Sequence, residues 1–300
     1  MAIDSKNAGL MRQAGIASVS AAVALIAIKL YAFAETGSVS MLSTLFDSAL
    51  DFGASLVNLF AIRQAVMPAD AEHRFGHGKA EPLAGLVQVA FILGSSVLLL
   101  VEVADHFLHP QIVQNYTIGV AVMVVSIAVT GALILFQRSV VKRTGSLAVH
   151  ADSAHYGSDF VVNISVIVAL VLSSLLGWWW IDPVCGLAVA LFIGVTAISI
   201  GRQALDMLMD REMEDADRER IKEIARAHPE VRNLHDLRTR VSGQDRFIQF
   251  HLELSPDILL KAAHRISDEV EAKLVAAFPG AEVIIHQDPY GIEERRTRFR

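Results

Sequence analysis

Six long apolar runs, broken only by isolated polar positions, occupy the first two thirds of the chain, and beyond residue 206 they give way to short alternating and helical-period segments. A hydrocarbon core of about 30 Å is crossed by a helix of about 20 apolar residues. Runs of that length predict spans at 13–34, 40–62, 81–105, 116–137, 147–176 and 181–205. An even number of spans returns the chain to the side on which it began. From Asp206 to Arg220 acids and bases alternate, as in solvated linkers and helix starts. Periodicity then predicts an amphipathic helix at 216–228, strands at 233–241 and 246–254, a helix at 257–277 and a third strand at 281–286. This α-β-β-α-β order predicts a small open-faced α+β sandwich of ferredoxin-like type. The expected organisation is a six-helix transmembrane bundle over 1–206, an α+β domain over 207–290 and a tail at 291–300. So small a domain buries little apolar surface alone, which favours dimerisation.

Composition agrees with a bilayer. At 53 % hydrophobic and 19 % charged, with a mean hydropathy of +0.44, the chain is too apolar for an ordinary soluble protein and too charged to lie in lipid throughout. Lys6, Arg12, Arg63, Arg74, Lys79, Arg138, Lys142 and Arg143 fall before span one, between spans two and three, or between spans four and five. The positive-inside rule puts these segments, and with them both termini, in the cytoplasm. The start of the chain has no short apolar core with a small-residue cleavage site, so no removable signal peptide is expected. The net charge of -6 gives no reason to expect a nucleic-acid partner. One cysteine, Cys185, permits neither an internal disulfide nor a Cys-based zinc site and reads as a small packed residue.

Two ionisable pairs interrupt the apolar runs: Asp47 with Asp51, and His155 with Asp159. A spacing of four puts both members of each pair on one helix face. Ionisable groups at that depth are costly and mark function. Three carboxylates and one imidazole from two helices form a shell suited to Zn2+, and also to Cd2+, Fe2+, Co2+ or Mn2+. Such a shell takes up protons when no metal is bound, so metal and protons compete for it, with His155 and Asp51 as the coupling groups. The alternative is a polar network that merely locks the two helices together. Lys29, inside span one, either snorkels to the outer interface or takes part in a proton relay.

The segments Thr36-Gly37-Ser38-Val39-Ser40, Phe46-Asp47-Ser48 through Asp51, Phe75-Gly76-His77-Gly78-Lys79-Ala80-Glu81, His155-Tyr156-Gly157-Ser158-Asp159 and His286-Gln287-Asp288-Pro289 together carry a resemblance. Over nearly its full length the chain resembles the cation diffusion facilitators, and within them the bacterial zinc and ferrous-iron efflux branch. The resemblance implies a homodimer in the bacterial inner membrane, a cytoplasmic metal-binding domain of metallochaperone-like fold, and exchange of cytoplasmic metal for protons. Asp47, Asp51, His155 and Asp159 match its transport site. Asp70, His73 and His77 resemble its secondary loop site, an open and weak one if it binds metal rather than being a solvated polar loop. His235, His251, His264, His286 and Asp288 match a binuclear cytoplasmic site with Gln287 behind the ligands. Read from the residues alone, this group could hold one or two zinc ions or consist of ordinary surface and core histidines. Lys79 and Asp210 match a charge interlock at the dimer junction, where a solvated surface pair is the other reading.

Trp178 to Trp180 read as an interfacial aromatic belt, and His106, His109, His150 and His228 lack partners at ligand spacing. Small residues suited to close helix packing recur at Gly85, Gly94, Ser95, Ser96, Gly131, Gly186 and Gly194. No nucleotide-binding motif occurs, as expected for proton-driven transport. A membrane metalloenzyme would show His-Glu-x-x-His or a nucleophile beside a base, and neither is present. A metal sensor without transport would tolerate loss of Asp51 or Asp159. The expected function is proton-coupled export of Zn2+, with a ferrous-iron preference or a sensor role as alternatives.

Overall fold

The computed structural model describes residues 5–36, 39–108, 117–176 and 180–291. Six long helices come first: α1 (Ser5–Thr36), α2 (Val39–Ala65), α3 (Ala80–Leu108), α4 (Thr117–Thr144), α5 (Leu147–Leu176) and α6 (Ile181–Leu208). Most run past the apolar stretches expected to span, because lipid thickness limits only the apolar run while the helical ladder continues into the polar zone. In α4 it carries Arg138, Lys142 and Arg143. Five of the six, α1 to α4 and α6, are long and apolar enough to cross a membrane among the described residues. The sixth, α5, is an equally long helix and carries Asp152, His155 and Asp159 in its first half.

Helix α1 packs on α2 and α4, α5 lies against α2, α3 and α4, and α3 also packs on α2. Small residues let α6 approach α3: Ser96 donates to the Ala190 carbonyl at 2.9 Å, and a Cβ on Gly186 would stand 2.6 Å from Val103. Gly94, grouped with them from sequence, has no neighbour within 4 Å of where its Cβ would sit. The start of α5 is fixed three ways. Gly145 turns the chain at φ +66°, the Ser146 hydroxyl caps the Val149 amide, and the buried Glu81 carboxylate accepts the Leu147 N–H at 3.0 Å.

A second compact unit begins at Met207. It contains α7 (Asp215–Arg226), β1 (Asn233–Ser242), β2 (Asp245–Leu254), α8 (Leu260–Ala277) and β3 (Ala281–Pro289). The sheet is mixed, in order β1-β2-β3, with β2 antiparallel to β1 and parallel to β3. Ile248, Phe250, Leu252 and Leu254 of β2 form its core with Ile221 of α7 and Ile266, Val270 and Leu274 of α8. Alternation therefore turns Gln249, His251 and Glu253 to the face that the helices do not cover. Helix α8 starts three residues later than its period predicts, after a turn in which the Ile258 amide bonds the Ser255 carbonyl. Strand β3 runs three residues further than predicted, because pairing with β2 continues to Leu254 and Pro289.

Candidate metal centres

In the membrane unit, α2 and α5 bring Asp51 and His155 face to face, with His155 Nε2 3.1 Å from Asp51 Oδ1. Asp159, one turn further along α5, adds a carboxylate, and the three donor atoms lie within 4.8 Å of one another. Donors about 2 Å from one ion at tetrahedral angles stand roughly 3.3 Å apart, so a small inward adjustment closes this shell. His155 is 2 % exposed and Asp159 half-buried. Asp47 is exposed and outside this three-donor group. One turn of helix sets it about 6 Å along the axis from Asp51, so the expected quartet is three convergent donors with a fourth a turn away. Lys29 donates to Ser48 Oγ at 2.7 Å and to the Thr44 carbonyl at 3.1 Å. Its ammonium is thus anchored on α2, beside Asp47 in sequence.

Asp152, which the sequence reading passed over, is 1 % exposed. Its carboxylate accepts from Gln88 Nε2 at 3.1 Å and Gln137 Nε2 at 2.7 Å, and it contacts the Ser18 hydroxyl. A signal was present: Asp152, His155 and Asp159 follow an i, i+3, i+7 spacing that puts all three on one face of α5. His150, weighed instead for its nearness to His155, is half-buried at the helix start.

Asp70, His73 and His77 form a second cluster, between α2 and α3, with donor atoms within 4.8 Å of one another. Asp70 Oδ1 accepts the amides of His73 at 2.7 Å and Glu72 at 2.9 Å. These bonds, the His73 amide foremost, hold the exposed carboxyl below its usual range. Its other oxygen lies 3.4 Å from His77 Nε2, and the His73 and His77 rings are 4.6 Å apart. His77 is buried, and its Nδ1 has no hydrogen-bond partner.

The third cluster follows strand register. His235 pairs with His251, and His251 with His286, so the three rings form a row across the sheet. Neighbouring rings lie 5.0 and 4.6 Å apart. Asp288, two residues beyond His286 on the same face, reaches His251 Nδ1 at 2.7 Å, His286 Nε2 at 3.1 Å and His235 Nε2 at 3.4 Å. The buried Glu253 carboxylate, also missed from sequence, stands 2.8 Å from His235 Nδ1. It sits two residues after His251 in an alternating strand, and that spacing could have identified it. Within this single chain two expected members stand apart from the row. His264 lies on α8, across the sheet from the row, 72 % exposed and 3.7 Å from Asp268. Gln287 faces the helices and donates to Ser267 at 2.9 Å, so it does not back the ligands.

The remaining candidates are dispersed. Asp210, at φ +54°, pairs with Arg240 at 3.2 Å within the C-terminal unit, and Lys79 lies just before α3. His228 is 3.1 Å from Glu269, a tie between the end of α7 and α8. Cys185 is a half-buried free thiol on α6, and His106 lies in the last turn of α3. Trp180 is exposed, while Trp178, Trp179, His109 and residues 292–300 of the tail lie outside the described residues.

Comparison with known proteins bears on both units. Residues 15–209 match the cation efflux transmembrane domain, and residues 213–290 match the cytoplasmic domain of cation efflux proteins. The cation-efflux pump FieF of Shewanella oneidensis is 50 % identical over 283 residues, 94 % of this chain and 95 % of that protein. The protein of the same name from Klebsiella pneumoniae is 45 % identical over 94 % of each chain. A solved structure of CzrB in a zinc form is 37 % identical, covering 29 % of this chain and 99 % of that one with a TM-score of 0.26.

Proposed function

Because the chain belongs to the cation efflux family, we propose that it exports Zn2+ from the cytoplasm in exchange for protons, as a homodimer of six-span subunits in the bacterial inner membrane. The family moves divalent metal ions across membranes and is not a family of enzymes. The single observation that carries the reading is the convergence of Asp51, His155 and Asp159 from two helices on one spot inside the membrane unit. A carboxylate-rich shell in a low-dielectric interior attracts a divalent cation and, when empty, binds protons in its place. Facing the cytoplasm the groups release protons to take metal; facing outward, protons displace it. Asp47, one turn along α2 from Asp51, is assigned as the fourth donor of the shell. The same oxygen-rich donors suit Fe2+, which is the chief competitor for the substrate role.

In the C-terminal unit we assign a resident zinc to His235, His251 and Asp288, with His286 beside them. His235 is half-buried with Glu253 2.8 Å from its Nδ1, which leaves Nε2, 3.4 Å from Asp288, as the nitrogen for an ion. Bound there, an ion would tie all three strands together. The loop group Asp70, His73 and His77 is a weaker site, and Lys79 and Asp210 are assigned to a charge interlock at the dimer junction.

The test is zinc flux into vesicles driven by a pH gradient, with Fe2+ and Cd2+ as competitors. Asp51→Ala and His155→Ala should abolish flux while gel filtration still gives the wild-type dimer. Undiminished flux in either variant refutes the assigned transport site.

A further inference from the structure

We propose that Asp152 is a second proton-exchanging carboxylate of the transport cycle, set one helical turn before His155 among buried polar side chains; this rests on the antiport reading above. Its surroundings come from every neighbouring helix. Ser18 of α1, Gln88 of α3 and Gln137 of α4 touch the carboxylate. Asn58 of α2 lies beside it, and Gln88 also reaches the Ala54 carbonyl of α2 at 3.3 Å. Two titratable groups of α5 lie close by. His155 acts on it electrostatically, and Tyr156 shares its hydroxyl with Ser55 Oγ at 2.8 Å and the Ser18 carbonyl at 3.2 Å.

The hydrogen inventory fits both forms of the acid. Ser18 has one hydroxyl hydrogen, and its Oγ has two acceptors in reach, the Asp152 carboxylate and the Ala14 carbonyl at 3.1 Å. With Asp152 ionised, Ser18 donates to it. With Asp152 protonated, the acid donates to Ser18 Oγ and Ser18 turns its hydrogen to Ala14. The Gln88 and Gln137 amides donate to carboxyl oxygens in either case. Gaining or losing the proton therefore requires no heavy atom to move.

A network built only to lock helices would be closed, because an unmet buried polar atom costs about 1–3 kcal/mol. This one is open. Gln88 Oε1 and Gln137 Oε1 are buried with no hydrogen-bond partner. Acceptors so placed fit bound water, which takes the proton from Asp152 as hydronium and returns it.

The experiment uses the full chain in vesicles loaded with pH and zinc indicators, comparing wild type with Asp152→Asn and Ser18→Ala. Asp152→Asn should carry fewer protons per zinc, by on the order of one, and flatten the pH dependence of flux. Ser18→Ala, which keeps the carboxyl and removes its hydroxyl partner, should shift the midpoint of that dependence. A wild-type proton-to-zinc ratio and pH profile in Asp152→Asn overturns the proposal. If Asp152→Asn fails to assemble, an unmoved profile in Ser18→Ala overturns it alone. Zinc flux without proton movement in the wild type would instead refute the antiport reading.

Discussion

The membrane triad and the C-terminal row use the same donors, imidazole and carboxylate, but different forces position them. In the sheet, His235, His251 and His286 stand at paired register positions, and their ring spacings of 5.0 and 4.6 Å match the strand separation of about 4.8 Å. Backbone hydrogen bonds set that spacing, so the row cannot open unless the sheet does. In the membrane, Asp51 and His155 meet because α2 packs on α5. Helices hold each other through side chains, and shifts of about 1–2 Å are within their ordinary repertoire. A site that must bind and then release an ion is suited to the second construction, and one that retains its ion to the first.

The largest effect that would sharpen this contrast is expected from Asp159→Asn. It removes one of the two carboxylate charges among the three convergent donors, so zinc flux should fall by more than roughly 100-fold, beyond what loss of an outer partner costs. Zinc held by the C-terminal domain, counted by equilibrium dialysis, should not change. If both quantities fell together, the two sites would not be independent. A smaller effect is expected from Glu253→Gln, which keeps shape and removes the charge beside His235 Nδ1. Affinity at the C-terminal site should weaken by about 10–100-fold, with circular dichroism unaltered. Wild-type affinity there would mean that Glu253 serves the sheet alone.

What sequence could show followed from periodicity within one element. The four-residue spacing put His155 with Asp159 on one face, and α5 runs over the residues its apolar pattern predicts. The alternation of β2 likewise identified the strand bearing His251. Features that depend on packing between elements were hidden. The partners of Asp152 come from three other helices, with Ser18 134 residues away in sequence and Gln88 64, and no local pattern encodes that meeting. The alternation of β2 also could not say which face the helices cover, and that choice decides which histidines share a site.

His264 is where that choice is sharpest, and it carries the smallest expected effect. The apolar residues of α8 that enter the core, Ile266, Val270 and Leu274, meet the even-numbered face of β2, whereas His251 is on the other. His264 therefore cannot reach the row within its own chain without crossing the sheet. Its imidazole is 72 % exposed, with Asp268 as a surface neighbour at 3.7 Å, and such exposed pairs contribute about 0–1 kcal/mol. His264→Ala should leave the number of bound zinc ions, their affinity and the melting temperature at wild-type values. Loss of one ion in the dimer, with the fold intact, would mean that a second subunit delivers this histidine to the row, and a site dependent on subunit packing would then share the looser construction of the membrane triad.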